Sequence, residues 1–257
     1  WRAASDVCKG PATRGAGRVL STRASTLLDD VARAFLPKVD CGPLWFQLYL
    51  LPDRGFIRAL VQRAEATGFE ALVLTVDAPV QGFHDRERRA GFRRPADVTA
   101  VNLAGRVAPV LLSLRPGQSR LFDNLMTHAP TWDDIAWLHS ITPLPVLLKG
   151  VVHPADARQT LNCDAAGLIV SSHGERTLDT MPATATLLLR VLQAVAGDAP
   201  VVLDGGIRRG ADVLKAMALG ASAVLVGRPV LHGLANSGAV GPTCCACFAA
   251  SWRLRWR

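Results

Sequence analysis

The chain has 257 residues, of which 49% are hydrophobic, so it can bury one large core without dividing into two domains. Its formal net charge is +8, but the densest basic run, residues 86–94, contains an acid and only one aromatic residue, which argues against a nucleic-acid partner. No apolar run reaches the roughly twenty residues that span a bilayer, and the cysteines lack disulfide or zinc spacing, which predicts no membrane span, no metal site and a reducing, cytoplasmic compartment.

Short apolar runs alternate with amphipathic segments along most of the chain. Each apolar run stops at a polar residue or a glycine, which predicts seven strands ending near Ser21, Gln47, Thr75, Lys149, Ser171, Asp204 and Gly227. The amphipathic segments predict helices at residues 26–35, 53–67, 132–140, 154–160, 182–196 and 210–219. The second helix should have Asp53 as its N-cap and Gly68 as its C-terminal stop. The section from residue 79 to residue 130 is expected to be irregular.

Strands that alternate with helices predict an α/β fold with a parallel sheet. At this length the natural architecture is a TIM (β/α)8-type barrel, which needs eight strands where the pattern supplies seven. The first apolar run lies close to residue 1, so the missing strand is expected to be the first of the barrel, together with its helix. Residues 1–241 are predicted to form this partial barrel and residues 242–257 a divergent tail.

Residues 199–229 read as a strand, a helix and a second strand, with a glycine-rich turn after each strand. Parallel strands end at the same edge, so the two turns and their arginines should converge and offer free backbone N–H groups to an anion. In a β/α barrel a phosphate site is expected after the last two strands. The residues predicted to form it are Asp204, Gly205, Gly206, Arg208, Gly227 and Arg228. The alternative is a pair of ordinary turns with solvated arginines.

His173 directly follows an apolar strand and should lie at the rim of the barrel, where it can act as a base. Arg176, three residues later, can hold a carboxylate through two hydrogen bonds. Asp204 ends the next strand and is expected to hydrogen-bond the His173 imidazole and strengthen it as a base. Lys149 closes an apolar strand and must serve a site or an ion pair. Gln47, by contrast, could simply be a rim residue that is satisfied by the backbone.

Several of these segments resemble one known family, the FMN-dependent L-2-hydroxy acid oxidases and dehydrogenases, which include glycolate, lactate and mandelate oxidases. The resemblance runs from about Val19 to Gly233 and is carried by six motifs. They are Phe-Gln-Leu-Tyr at 46–49, Leu-Thr-Val-Asp-Ala-Pro at 74–79, Leu-Lys-Gly at 148–150, Ser-Ser-His-Gly-Glu-Arg at 171–176, Asp-Gly-Gly-Ile-Arg-Arg-Gly at 204–210 and Gly-Arg-Pro at 227–229.

The resemblance implies a role for each matched residue. FMN would be bound at its ring and ribityl chain by Ser21, Gln47, Thr75, Lys149 and Ser171, and at its phosphate by Asp204, Gly205, Gly206, Arg208, Gly227 and Arg228. Tyr49 would donate a hydrogen bond to the substrate, and Arg176 would hold the substrate carboxylate. His173 would take a proton from a small 2-hydroxy acid as two electrons pass to flavin N5. The product would be a 2-oxo acid, O2 or another acceptor would reoxidise the flavin, and a homotetramer is possible.

The chain also departs from the family pattern. The position of a second substrate-binding arginine falls on His84, whose neutral imidazole would hold a carboxylate more weakly. Glu175 places a negative charge beside Arg176 and is expected to compete for it. The family's first strand and its closing helix are expected to be missing. Two alternatives therefore stay open: an impaired remnant that binds FMN weakly or not at all, and an FMN-dependent isomerase of the isopentenyl diphosphate type.

Overall fold

A curled sheet of seven parallel strands organises the molecule. The computed structural model describes residues 16–37, 41–79, 82–107, 113–119, 121–126 and 129–237. The strands are Arg18–Ser21 (β1), Leu44–Leu48 (β2), Ala71–Thr75 (β3), Val146–Lys149 (β4), Gly167–Val170 (β5), Val201–Asp204 (β6) and Ala223–Leu225 (β7). They pair in sequence order from β1 to β7, which confirms the predicted α/β architecture. Residues 1–15 and the predicted tail, 242–257, lie outside the described residues.

Helices connect successive strands, as the alternation predicts. Those described are Leu28–Phe35 (α1), Arg54–Ala66 (α2), Asp85–Arg89 (α3), Asp133–His139 (α4), Pro154–Asn162 (α5), Thr184–Val195 (α6), Gly210–Ala218 (α7) and Arg228–Ser237 (α8). The section between β3 and β4 is less irregular than expected, because it contains α3, a 3-10 turn at Val101–Leu103 and a π-helical turn at Leu121–Leu125. In the part of the chain that the structure describes, no helix combines the length and the apolar character needed to cross a bilayer.

Helix α2 shows how local sequence sets the bounds of an element. The Asp53 carboxylate accepts a hydrogen bond from the Phe56 backbone N–H at 2.9 Å and so caps the first turn. Gly68 follows the helix with a φ of 91°, a conformation that glycine adopts without a steric penalty. Both predicted ends are therefore confirmed. The face between them is buried through Ile57, Leu60, Val61 and Ala64.

The two faces of the sheet carry separate hydrophobic layers. The outer face packs against the helices and includes Leu72, Leu74, Leu148, Leu168 and Leu203. The inner face holds a smaller cluster formed by Ala71, Val73, Leu147, Ile169 and Val202. Side chains alternate between the faces of a strand, so a residue two positions beyond an inner one also points inward. Lys149 after Leu147 and Asp204 after Val202 obey this rule, and the strand-end polar residues are therefore directed to the inside of the curl.

The side chain of Asn102 hydrogen-bonds to the start of α1 and so links it to the long section between β3 and β4. Its side chain is 3% exposed. Its Oδ1 accepts a hydrogen bond from the Leu28 backbone N–H at 2.9 Å, and its Nδ2 donates to the Thr26 carbonyl at 2.9 Å. Leu27, the residue at the N-cap, has no side-chain acceptor, so Asn102 satisfies a helix N–H group that would otherwise be orphaned. This anchor holds part of the section beside the carboxyl end of β1.

Candidate active site

Three side chains from neighbouring strands form a hydrogen-bonded network inside the curl. Lys149 is 7% exposed, and its ammonium donates to the Ser171 hydroxyl at 2.9 Å. The Ser171 hydroxyl donates to Asp204 Oδ2 at 2.7 Å, and that oxygen also lies 3.1 Å from Lys149 Nζ. A buried ammonium needs such a partner, because an unpaired charge in the interior is strongly unfavourable. The network holds one fixed cation at the end of β4.

A second polar group lies on the strands to the other side of Lys149. Gln47 Nε2 donates to the Thr75 hydroxyl at 2.8 Å, and Thr75 is paired with Lys149 in the sheet register. Ser21 is paired with Gln47 in the same way. The predicted ring-binding residues therefore form a continuous band from β1 to β5 on the inner face.

The partner of the His173 imidazole is Asp77. His173 Nδ1 lies 2.8 Å from Asp77 Oδ1, and the Tyr49 hydroxyl lies 3.3 Å from His173 Nε2. The expectation that Asp204 would hydrogen-bond this imidazole is wrong, since Asp204 pairs with Lys149 and Ser171 instead. A carboxylate can only accept here, so Nδ1 carries the hydrogen and Nε2 is the basic nitrogen that faces Tyr49.

Gly150 makes room for Asp77 behind the histidine. Its φ is 108°, and a Cβ atom at this position would lie 2.3 Å from the Asp77 Cβ and 2.4 Å from its Cγ. Carbon atoms do not approach so closely, so a side chain here would move the carboxylate. The glycine after Lys149 therefore determines whether Asp77 can reach His173.

His173 itself sits in a strained turn. His173, Gly174 and Glu175 have φ values of 53°, 64° and 60°, and two of these three left-handed residues are not glycine. The Ser171 hydroxyl accepts a hydrogen bond from the His173 backbone N–H at 3.0 Å and braces the start of the turn. The turn directs the imidazole to one side and the Gly174 backbone to the other, where the Gly174 carbonyl accepts a bond of 3.4 Å from Arg228.

Arg176 is paired with a carboxylate from the section between β3 and β4. Its Nη1 lies 2.8 Å from Glu87 Oε1, and its Nη2 lies 3.1 Å from His84 Nδ1. The hydrogen bond from Arg176 holds the pKa of the Glu87 carboxyl below its ordinary value. The expected competitor, Glu175, is exposed and makes no such contact, so that expectation is wrong. His84 does lie beside Arg176, where the family pattern places an arginine.

These groups line one open cavity of about 270 Å³ at the carboxyl end of the sheet. Its lining residues are Arg23, Tyr49, Ala78, Pro79, Gly82, His84, His173, Arg176 and Thr177. Burial raises the pKa of the Tyr49 phenol, so this side chain remains a hydrogen-bond donor at neutral pH. The cavity therefore offers a base, a donor and a guanidinium to one small ligand.

A second cavity, of about 330 Å³, opens on the far side of the His173 turn. The residues predicted to hold a phosphate that line it are Gly205, Gly206 and Arg228. Gly227 and the exposed Arg208 are not among its lining residues. The Arg208 backbone N–H instead donates to the Asp212 carboxylate at 3.0 Å. This hydrogen bond and a second one from the Arg209 backbone lower the pKa of the Asp212 carboxyl.

Sequence reasoning missed three residues of the site: Arg23, which lines the first cavity, and Asp77 and Glu87, which contact its lining residues His173 and Arg176. Asp77 lies in the motif at 74–79. It is two positions after Thr75 and four after Val73, both on the inner face, so the alternation of side chains could have identified it. Glu87 and Arg23 had no such signal, because both lie outside the strands, Glu87 in α3 and Arg23 in the connection after β1. Within the described ranges no group of residues is arranged to hold a metal ion.

Comparison with known proteins gives a consistent result. A family model described as FMN-dependent dehydrogenase matches residues 2–246. An L-lactate oxidase from Roseobacter sp. (strain GAI101) is 51% identical over 230 residues, which are 90% of this chain and 60% of that protein. Glycolate oxidase from Spinacia oleracea is 42% identical over 223 residues, which are 86% of this chain and 59% of that protein. The chain thus spans about 60% of the length of these curated relatives.

Solved structures show the same similarity in three dimensions. The crystal structure of mandelate oxidase with benzoyl-formic acid matches with a TM-score of 0.82 and 38% sequence identity. The match covers 97% of this chain and 67% of that one. The seven strands therefore correspond to part of a TIM barrel, as predicted.

Proposed function

The chain belongs to the family of FMN-dependent dehydrogenases, and from this premise we propose that it oxidises an L-2-hydroxy acid to the 2-oxo acid with FMN as cofactor. The observation that carries the proposal is the meeting of His173, Tyr49 and Arg176 around one cavity, with Asp77 hydrogen-bonded to His173. Because the chain spans only part of its relatives, the proposal concerns the chemistry that these residues can perform.

The residues of the second cavity fit the phosphate of FMN. A Cβ atom at Gly206 would meet no atom within 4 Å, so this glycine borders open space that an anion can approach. The Arg228 guanidinium supplies a positive charge to that space, and Lys149 supplies one on the inner face of the sheet. Ser21, Gln47, Thr75, Lys149 and Ser171 would hold the ring and ribityl chain. When bound, FMN supplies the two-electron acceptor for the reaction.

His173 takes the proton that leaves the 2-hydroxy acid. Its Nδ1–H is directed to Asp77, so Nε2 has the free electron pair and faces the cavity. When Nε2 is protonated, the imidazolium is stabilised by the adjacent Asp77 carboxylate, whose second oxygen is buried without another partner among the described residues. The histidine and the aspartate thus act as one basic unit.

Arg176 and Tyr49 hold the substrate in place. The guanidinium matches the geometry of the C1 carboxylate and fixes it through two hydrogen bonds. The Tyr49 hydroxyl donates to the substrate oxygen on C2, beside the nitrogen that receives the proton. The relatives include oxidases, which favours O2 as the final acceptor of the electrons. By the same resemblance the protein would form a homo-oligomer, which its elution volume in size-exclusion chromatography tests.

The full 257-residue chain tests the proposal when it is purified with added FMN. We expect a yellow protein whose flavin is bleached without oxygen by L-lactate, glycolate or L-mandelate. His173→Ala should lower the bleaching rate by about 10²- to 10⁴-fold and leave the flavin bound, because it removes only the base. The matched control is His232→Ala on α8, an exposed histidine outside both cavities.

Other outcomes point to other functions. A folded but colourless protein would indicate a remnant that no longer binds FMN. Bound flavin that no 2-hydroxy acid bleaches would favour an isomerase or an inactive binder. Equal rates for His173→Ala and the unchanged protein would remove the base from the proposed mechanism.

A further inference from the structure

The cavity of about 270 Å³ that His173 and Arg176 line contains a second arginine, Arg23, which the proposed reaction does not use. Arg23 lies two residues beyond the end of β1 and lines the same cavity as His173 and Arg176. Its guanidinium carbon lies 4.7 Å from the centre of the Tyr49 ring, within the range of a cation–π contact. This contact holds the guanidinium beside Tyr49, where its N–H groups can donate to an acceptor in the cavity.

The two arginines approach the cavity from well-separated strands. Arg23 follows β1 and Arg176 follows β5, and parallel strands end at the same side of the sheet. Four strand positions separate them around the curl, so they reach the opening from different sides. Tyr49, which follows β2, is in contact with the Arg23 guanidinium and with the His173 imidazole. Arg23 is therefore close to the atoms that are proposed to react.

The charges around the cavity are unequally matched. The Asp77 carboxylate is paired with His173, and Glu87 is paired with Arg176 and His84. Among the described residues no carboxylate lies within ion-pair distance of Arg23, and the Asp30 carboxylate of α1 pairs with Arg33. Arg23 thus presents a cation without a carboxylate partner in a cavity that is proposed to bind an anion.

We infer that the substrate is a dicarboxylic 2-hydroxy acid, whose C1 carboxylate binds Arg176 and whose second carboxylate binds Arg23. This inference rests on the proposed function and names the substrate class for it. Arg23 is exposed, and an alkyl side chain would gain no hydrogen bond from its guanidinium, so the arginine gives such substrates no advantage. A second carboxylate satisfies the same group with charge-assisted hydrogen bonds.

A matched pair of substrates tests the inference. L-Malate and L-2-hydroxybutyrate have the same four-carbon chain and differ in that a carboxylate replaces a methyl group. With FMN bound and oxygen excluded, the unchanged protein should be reduced with a higher kcat/KM by L-malate. Arg23→Gln should lower kcat/KM for L-malate about tenfold, the effect of one lost charge-assisted hydrogen bond, and leave the value for L-2-hydroxybutyrate unchanged.

The control variant is Arg33→Gln, which removes an exposed arginine of α1 that pairs with Asp30 outside the cavity. It should alter neither substrate's kcat/KM. A second readout does not depend on turnover. Calorimetry should show a higher affinity for succinate than for butyrate, and Arg23→Gln should abolish this difference in affinity.

The outcomes separate the inference from the function on which it rests. If L-2-hydroxybutyrate is the better substrate, or if Arg23→Gln affects both substrates equally, the assignment of a dicarboxylic substrate is wrong. Oxidation of a 2-hydroxy acid would still stand. If neither substrate reduces the flavin and L-lactate, glycolate and L-mandelate also fail, hydroxy acid oxidation fails. The comparison of succinate with butyrate still decides whether Arg23 binds a carboxylate.

Discussion

Tyr49 is the side chain whose chemistry can be read most directly, because it is the only tyrosine in the chain. Burial raises the pKa of its phenol above the ordinary value of 10.0, and the positive charge of Arg23 opposes that shift. The raised pKa means that the folded state holds this proton more tightly than the unfolded state. Its contribution to stability is therefore complete below pH 10.0 and is lost as the pH rises through the folded-state pKa.

Ultraviolet titration of tyrosinate absorbance measures this shift. We expect the midpoint of the folded chain to lie above that of the chain unfolded in urea. Arg23→Gln should move the folded midpoint further upward, since it removes a nearby positive charge. A downward movement would show that Arg23 does not lie over the Tyr49 ring in solution.

Glu87 sets the second expectation at the level of a single side chain. Its carboxylate pairs with the Arg176 guanidinium, which is proposed to hold the substrate carboxylate. Glu87 and the substrate therefore compete for Arg176. Glu87→Gln should lower KM for a 2-hydroxy acid a few-fold, about the effect of one exposed ion pair, and leave kcat unchanged. Steady-state kinetics at neutral pH measure both constants.

Asp85→Asn is the matched control for Glu87→Gln. It removes an acid from the same short helix, α3, at an exposed position that does not line the cavity. KM should be unchanged in this variant. If Glu87→Gln raised KM instead, the carboxylate would be assisting the substrate and not competing with it.

At the scale of elements, the connections after the strands matter more than the strands themselves. The strands bring the inner-face residues to one edge, but the section between β3 and β4 supplies Asp77, His84 and Glu87. The turn at His173–Glu175 separates the two cavities, since His173 lines one and Gly174 lines the other. A change in this turn should therefore affect both ligands at once.

Gly150 offers a test of how one connection positions another. Gly150→Ala should displace Asp77 from His173, because the added Cβ would occupy the position of the aspartate side chain. We expect flavin to remain bound, the rate to fall by about 10²-fold, and the pH dependence of kcat to change, since the base loses its carboxylate. Flavin reduction measured across pH checks this outcome.

Gly197→Ala controls for the cost of backbone strain. Gly197 also has a positive φ, 92°, but a Cβ there would meet no atom within 4 Å. Both variants should lower Tm, because an alanine in this conformation costs about 1–2 kcal/mol. Only Gly150→Ala should alter the pH profile, and a normal profile would show that Asp77 does not need the space.

At the scale of the whole molecule, the curl of the sheet brings distant segments to one rim. Helices pack against the outer face of the sheet, which is rich in leucine. The inner face carries a small apolar layer, and polar groups follow it at the strand ends. Both cavities lie at the carboxyl ends of the strands, which is where active sites of β/α barrels are found. The placement follows from parallel connection alone, because every strand then ends on the same side.

The sequence by itself determined the seven strands, most of the helices between them and the family, whereas α3 and α8 were not predicted. Apolar runs, caps such as Asp53 and stops such as Gly68 act within a few residues, so their effects can be read locally. The polar residue that ends an apolar run is equally local, and it identified Lys149 and Asp204 as strand-end groups. The motifs at 171–176 and 204–210 carried the resemblance for the same reason.

Only the tertiary structure decided which of these groups touch. His173 pairs with Asp77 across 96 positions of sequence, and Arg176 contacts His84 across 92. Such contacts depend on the path of the connection after β3 and on the space that Gly150 leaves, and neither has a periodic pattern. The contact between Arg23 and the Tyr49 ring likewise depends on the curl of the sheet. Local rules fix where a side chain points, whereas its partner is fixed by the packing of distant segments.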